Sequence, residues 1–214
     1  MKTPTNKTHP LKHPDQRVGV FIDVQNMYYS AKNLFHMKVN FGNIVTEATA
    51  GRKLIRAIAY VVSTEGKEEQ PFFDALYNLG IETKSRPLQI FYGGEKKADW
   101  DVGITVDAIR LSPSLDTIIL VSGDGDYLPL VEYLQNQGKQ VEVMAFGNTS
   151  SSKLREEADD FIDLGGEEKN KFLIADRPVM QTRQSNTTTK VYPPKVYTPK
   201  NFTPKVYNPK FKNK

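Results

Sequence analysis

Short runs of consecutive apolar residues alternate along this chain with stretches in which apolar residues recur every three or four positions. VGVFID (18–23), RAIAYVV (56–62), DTIILVS (116–122) and QVEVMAF (140–146) are runs that leave no polar face, as expected of strands buried on both sides of a sheet. A shorter strand follows Gly80 over 80–84, and a last one falls near 161–164. Between them, Met27, Ala31, Leu34 and Phe35 mark a helix over 26–35. Phe72, Phe73, Leu76 and Leu79 mark a second over 70–79, stopped at Gly80. Ile104, Ala108 and Leu111 mark a third over 101–111, stopped by Pro113. A fourth runs over 126–138 to Gly138, with Pro129 tolerated in its first turn, and a short one fits SSSKLREEADD before the last strand. Residues 86–98, broken by proline and glycine, suit either a strand or an ordered loop. Alternation of this kind predicts an α/β fold in which a mostly parallel sheet is flanked by helices on both faces. Ligands of such folds bind beyond the carboxyl ends of the strands, where strand order reverses.

Outside this patterned region the chain changes character. Residues 1–17 hold three prolines and few apolar residues and are expected to be disordered. The patterned domain spans 18–165, a linker is expected over 166–189, and 190–214 form a disordered tail built on a five-residue repeat, KVYPP, KVYTP, KNFTP, KVYNP. Each unit supplies one cation, one ring and one proline: Lys190, Lys195, Lys200 and Lys205, with Tyr192, Tyr197, Phe202 and Tyr207. Prolines at this density favour an extended, polyproline-like chain.

Charge sharpens the division. The formal net charge is +4, from 29 basic and 25 acidic residues, yet nine basic residues and no acidic one follow Asp176. Residues 1–176 therefore carry 20 basic and 25 acidic groups, a net of −5. An acidic domain with a basic tail points to an anionic partner such as nucleic acid. The chain has no cysteine, which excludes disulfides, thiol nucleophiles and cysteine-based metal sites, and its three histidines, His9, His13 and His36, lack metal-ligand spacing. No apolar run is long enough to span a bilayer, so no membrane partner is expected, and a cytoplasmic setting is favoured.

The candidate chemistry is carboxylate chemistry. Asp23 ends the first strand, Asp124 and Asp126 follow the third long run, and Asp101 opens the helix that runs back from the same rim. Asp99 and Asp107 are close in sequence, but Asp107 is turned well away from Asp101 around a helix. Carboxylates crowded together repel unless a cation compensates, and hard divalent ions such as Mg²⁺ or Mn²⁺ prefer such oxygen ligands. A site of this type can activate water against a phosphodiester. Each acid also has a structural alternative. Asp23 and Asp126 suit helix N-caps, SGDGD suits a glycine-permitted turn, and Asp101 complements a helix N-terminus. Capping accounts for each acid singly, not for three segments meeting on one rim.

FID-x-x-N at 21–26, a lysine shortly before D-V-x-x-x-x-D at 101–107, and SGDGDY at 122–127 together resemble the NYN domain of the PIN-like nucleases, which include the LabA-like proteins. The resemblance covers roughly residues 17–165 and preserves motif order. It implies a PIN-like three-layer sandwich and a metal-dependent ribonuclease acting on single-stranded or structured RNA. By the same resemblance Asp23, Asp101, Asp124 and Asp126 hold Mg²⁺ or Mn²⁺ and Asn26 orients a ligand or phosphate. Asp107 matches the family's downstream aspartate, and Ser122 and Lys97 are further candidates. Gly125 departs from the serine common between the two acids, and Asp99-Trp100 displaces the preceding lysines. Trp100, the single tryptophan, is weighed toward the core rather than toward base stacking.

The expected function is thus a metal-dependent ribonuclease whose tail helps hold RNA, lysines following phosphates and rings stacking on unpaired bases. The alternative is a non-catalytic RNA-binding or regulatory protein of the same fold. The proline-rich tail also suits docking to a protein groove. A haloacid-dehalogenase-like phosphatase would need a second aspartate where the chain has Gln25.

Overall fold

The computed structural model describes residues 12–63, 69–90, 96–97 and 99–175. All of them belong to the first of two units into which the chain divides, Met1–Arg177 and Pro178–Lys214.

Six parallel strands form the central sheet: β1 (Arg17–Asp23), β3 (Lys53–Ser63), β4 (Glu82–Pro87), β7 (Thr117–Val121), β8 (Gln140–Ala145) and β9 (Asp160–Asp163). Their spatial order is β4-β3-β1-β7-β8-β9. The chain first builds outward from β1 to β3 and β4, then returns to the other side of β1 for β7, β8 and β9. The reversal lies between β1 and β7, whose registers pair Ile22 with Val121.

Alternation along the strands divides the core into two layers. Val18, Val20 and Ile22 of β1 join Ala57, Ala59, Ile119, Val121 and Met144 on one face. This face is covered by α1 (Val24–Phe35), α2 (Phe41–Thr49) and α3 (Gln70–Asn78), through Met27, Ala31, Ile44, Val45 and Leu76. Phe21, Ile58, Tyr60, Leu120 and Val143 point the other way, under α4 (Asp101–Leu111), α5 (Leu128–Asn136) and α6 (Ser152–Glu157). The three-layer sandwich expected from the apolar runs is therefore present, with the central strands β1 and β7 sealed on both sides.

Several elements lie where the pattern gave no assignment or a different one. Helix α2 fills a stretch without an expected element; Asn40 caps it by accepting the Asn43 N–H at 3.1 Å. Residues 89–90 and 96–97, left open as strand or loop, pair antiparallel as β5 (Gln89–Ile90) and β6 (Lys96–Lys97). The helix expected from 126 begins as a 3-10 turn over Gly125–Tyr127 and becomes α5 only at Leu128.

The segment expected to open the linker carries α7 (Lys169–Phe172) and β10 (Leu173–Ala175), and β10 pairs antiparallel with β2 (Met37–Val39). Burial of Phe172 and Leu173 explains its order. At the other end β1 already begins at Arg17, whose guanidinium and backbone N–H both reach Asp116. That contact draws the Asp116 carboxyl down to about 2. Gln16 bonds Gln140, and Lys53 bonds Asp15. These contacts tie residues 15–17 to the sheet although the sequence there is polar.

No helix among the described residues is long and apolar enough to cross a membrane.

Candidate metal centre

At the point of reversal the ends of β1 and β7 lie side by side, and the chain leaves each of them through an acidic turn. Asp23, the last residue of β1, is 8% exposed and caps α1, its Oδ1 accepting the Asn26 N–H at 3.0 Å. Capping and membership of the acidic rim thus coexist in one side chain. The second oxygen, Oδ2, lies 3.4 Å from the Ser122 hydroxyl and 3.5 Å from that of Tyr127. Burial pushes the Asp23 carboxyl up to about 6 against the lowering effect of the Asn26 N–H, and the charges of Asp101 and Asp124 push the same way as burial. Asn26 does separate work: its Oδ1 accepts the Gly123 N–H at 3.0 Å, latching α1 to the turn that follows β7.

That turn is packed too closely for a side chain at its centre. A Cβ on Gly123 would stand 3.0 Å from the Ser150 Cα, so glycine is required by the approach of the neighbouring backbone. Asp124 caps the following 3-10 turn by accepting the Asp126 N–H at 3.0 Å. The capping residue of this turn is therefore Asp124, whereas the sequence suggested Asp126 as a helix cap. Asp126 is left exposed.

Asp101, in the first turn of α4, completes the group from a second segment on the same face of the sheet. Asp101, Asp124 and Asp126 each offer a carboxylate oxygen, and these oxygens lie within 4.8 Å of one another. The buried Tyr127 hydroxyl donates to Asp101 at 3.0 Å. Burial raises the Asp101 carboxyl, the Tyr127 hydrogen bond opposes this, and Asp124, Asp99 and Asp126 reinforce the rise. Asp23 stands outside the trio but lines the same cavity, of about 340 Å³, with Asp99, Asp101 and Asp124. Among the described residues lining it there is no lysine, arginine or histidine. A set of oxygen donors with excess negative charge and no cation among the described residues of the wall suits a hard divalent ion. Asp101, Asp124 and Asp126 are the residues that would hold it.

The other expected residues fall elsewhere or lie outside the described residues. Asp107, on α4, faces away from the cavity; it accepts from the Tyr60 hydroxyl at 2.8 Å and from Lys84, with Arg110 at 3.6 Å. Burial alone would raise its carboxyl, but the Lys84 and Tyr60 hydrogen bonds hold it below its ordinary range. Ser122 is buried behind Asp23. Lys97 lies in β6, with its side chain outside the described residues, as are the tail residues Lys190, Tyr192, Lys195, Tyr197, Lys200, Phe202, Lys205 and Tyr207.

Trp100 packs as a structural ring. Its indole N–H donates to the Val61 carbonyl at 2.9 Å, Tyr60 meets it edge-on at 5.3 Å, and the Arg86 guanidinium lies 4.3 Å from its centre. A Cβ on Gly103 would lie 2.5 Å from that ring. Two features were not evident from the sequence: the role of the Tyr127 hydroxyl, although SGDGDY contains it, and the α1 face beside the acids. The signal for the first was a tyrosine fixed one residue after the last acid.

Known proteins share this arrangement of segments. The sequence profile of the NYN domain matches residues 17–165. LabA, the low amplitude and bright protein of Synechococcus elongatus, is 28% identical over 158 residues, covering 69% of this chain and 83% of that protein. An uncharacterised protein of Methanocaldococcus jannaschii is 28% identical over 184 residues; the match takes in 83% of this chain and 65% of that longer relative. The crystal structure of a Vibrio parahaemolyticus protein of unknown function superposes with a TM-score of 0.69 at 31% identity, over 77% of this chain and all of the other. With the profile running from the first residue of β1 to just past β9, the chain belongs to the NYN domain family and is a LabA-like protein.

Proposed function

We propose that this protein is a metal-dependent ribonuclease whose centre is the carboxylate group at the β1/β7 reversal. The observation that carries the reading is the convergence of Asp101, Asp124 and Asp126, from two separate segments, with oxygens within 4.8 Å and no basic residue in the described cavity wall. Membership of the NYN family, a nuclease-like fold, supports it. A bound Mg²⁺ or Mn²⁺ would supply Lewis-acid polarisation and a water activated near neutral pH.

The chain's own residues set up that chemistry. Tyr127 fixes one Asp101 oxygen and leaves the other for a ligand. Asn26 and Asp124 hold the turn after β7 through backbone N–H groups, so the acids sit on a rigid frame. Asp23 lies deepest, bonded to the Asn26 N–H, and adds negative charge behind the trio. A polyanionic strand is repelled by this wall until a cation compensates it, which couples substrate entry to metal loading. The nine basic residues after Asp176 supply the remaining attraction, with single-stranded RNA the preferred partner because the repeat offers unpaired bases a ring in each unit.

The test is cleavage of labelled single-stranded RNA with Mn²⁺ or Mg²⁺ and with EDTA, comparing wild type, Asp101→Asn and Asp124→Asn. Cleavage by wild type alone, abolished by EDTA, is expected. Equal activity in all three proteins, or none in any, overturns the reading.

A further inference from the structure

The acidic residues form one side of the cavity; the other is a face of α1. Gln25, Tyr29 and Asn33 recur at four-residue spacing and line the cavity together. Tyr29 is 51% exposed although it is a large aromatic beside a polar site. Its ring is met by Tyr28 at 5.5 Å and 71°, an edge-to-face contact that steadies it. The side-chain amides of Gln25 and Asn33 and the Tyr29 hydroxyl have no hydrogen-bond partner among the described residues. Of the two aromatic rings in the described wall, Trp100 is occupied by Tyr60, Arg86 and the Val61 carbonyl, so Tyr29 is the ring available to a ligand.

We propose that Tyr29, flanked by Gln25 and Asn33, is the seat of one unpaired nucleobase of the nucleic-acid strand whose phosphate meets the carboxylate centre. The inference rests on the reading of that centre as a nucleic-acid site. The cavity's size, about 340 Å³, lies at the small end of the ~300–1,000 Å³ typical of ligand sites, the scale of a single nucleotide. A ring stacks on any base, and the amides one turn to either side present both donors and acceptors to its edge. Lys32, whose ammonium lies 5.4 Å from the Tyr28 ring, adds a cation on the same helix for the flanking phosphate. Exposure of Tyr29 then follows from function: the ring is kept in water because its partner comes from outside the chain.

The test is binding of a short fluorescent single-stranded RNA to the full chain carrying Asp124→Asn, alone and with Tyr29→Ala or Tyr29→Phe. The tail contributes equally to all three proteins. Tyr29→Ala is expected to weaken binding on the order of tenfold and Tyr29→Phe by less than about twofold, as stacking needs the ring and not the hydroxyl. On a probe of the same length made of abasic sugars, all three proteins bind alike. Equal affinity for Tyr29→Ala and its parent, or an equal loss on the abasic probe, overturns the seat. Cleavage by the wild-type chain is read separately. Base-dependent binding through Tyr29 without any cleavage would remove the ribonuclease reading and leave the seat; cleavage through Asp101 and Asp124 with no dependence on Tyr29 would remove the seat alone.

Discussion

The Tyr127 hydroxyl donates to Asp101 at 3.0 Å, and the same oxygen lies 3.5 Å from Asp23. One buried phenol therefore stands between two carboxylates contributed by different segments, and burial raises its own pKa so that it stays a donor at all working pH values. Replacing it by Tyr127→Phe leaves the ring's packing and removes the restraint on Asp101. Outer hydrogen bonds of this kind are typically worth ~10–100-fold in metal affinity. The expected result is a rise of roughly tenfold in the Mn²⁺ concentration needed for half-maximal thermal stabilisation. An unchanged midpoint would show that the phenol does not position the site.

Asp23 gives the metal-free protein a pH dependence of defined sign. Its folded carboxyl sits at about 6, above the ordinary 3.8, so the folded state binds the proton more tightly than the unfolded one. Its ionisation therefore lowers stability in full above about 6, and the penalty disappears as pH falls toward 4. A carboxyl raised this far costs the folded state about 3 kcal/mol once it is ionised. Asparagine preserves the N-cap and removes the charge. In EDTA, Asp23→Asn should be the more stable protein at pH 7, by about 2–3 kcal/mol, and the difference should vanish near pH 4. A stability difference that does not change between those pH values in urea titrations would contradict this account.

A separate buried pair lies beneath the other end of the sheet. Arg52, 5% exposed, makes two hydrogen bonds to Glu142, 0% exposed, at 2.6 and 2.9 Å. It also donates to the Ala48 and Thr49 carbonyls at the end of α2. Arg52→Met removes the nearest cation from the buried Glu142 carboxylate, leaving it the Gln140 amide and the Lys12 ammonium at 3.8 Å, and should cost about 3 kcal/mol of unfolding free energy. Arg52→Met combined with Glu142→Leu should recover most of that loss, because the buried carboxylate goes too. Chemical denaturation of the three proteins measures both effects; a double variant no more stable than the single would mean the pair acts through something other than its charges.

Removal of the tail tests the charge asymmetry. A chain ending at Asp176 loses nine basic residues and no acidic one. Single-stranded RNA should then bind more weakly, and log affinity should fall less steeply with log salt, by about 0.7 for each lysine or arginine that had engaged a phosphate. Equal slopes for the full and shortened chains would remove the tail from the interface.

The middle of the sheet was legible because β1, β7 and the centre of β3 are buried on both faces and carry almost no polar position, as in IILV of β7, whereas the edge strand β4, ETKSRP, is polar and largely exposed. Asp23, Asp124 and Asp126 were legible because they follow such runs directly. Helix α2 carries Phe41, Ile44, Val45 and Ala48 at helical spacing, but in nine residues with two β-branched threonines and a glycine the period is short of the length that makes it stand out. The β2/β10 pair could not be read locally: each strand has three residues, and Val39 finds Leu173 only through the tertiary fold. Side-chain direction was the other limit. Sequence places Asp107 six positions from Asp101, but only the packing of Lys84 and Tyr60 fixes where its carboxylate is spent. Tyr29 gave no periodic signal because a half-exposed ring interrupts no apolar stripe.

The placement of β1 between β3 and β7 also sets the order of events during synthesis. Asp23 emerges early, yet the Ser122 hydroxyl it faces lies 99 positions later, and Asp124 and Asp126 later still. Until β7 has left the ribosome and zipped against β1, the chain is a set of scattered acids. The acids gather only with the closing of the middle of the sheet, so a half-made or half-melted molecule has no assembled carboxylate group.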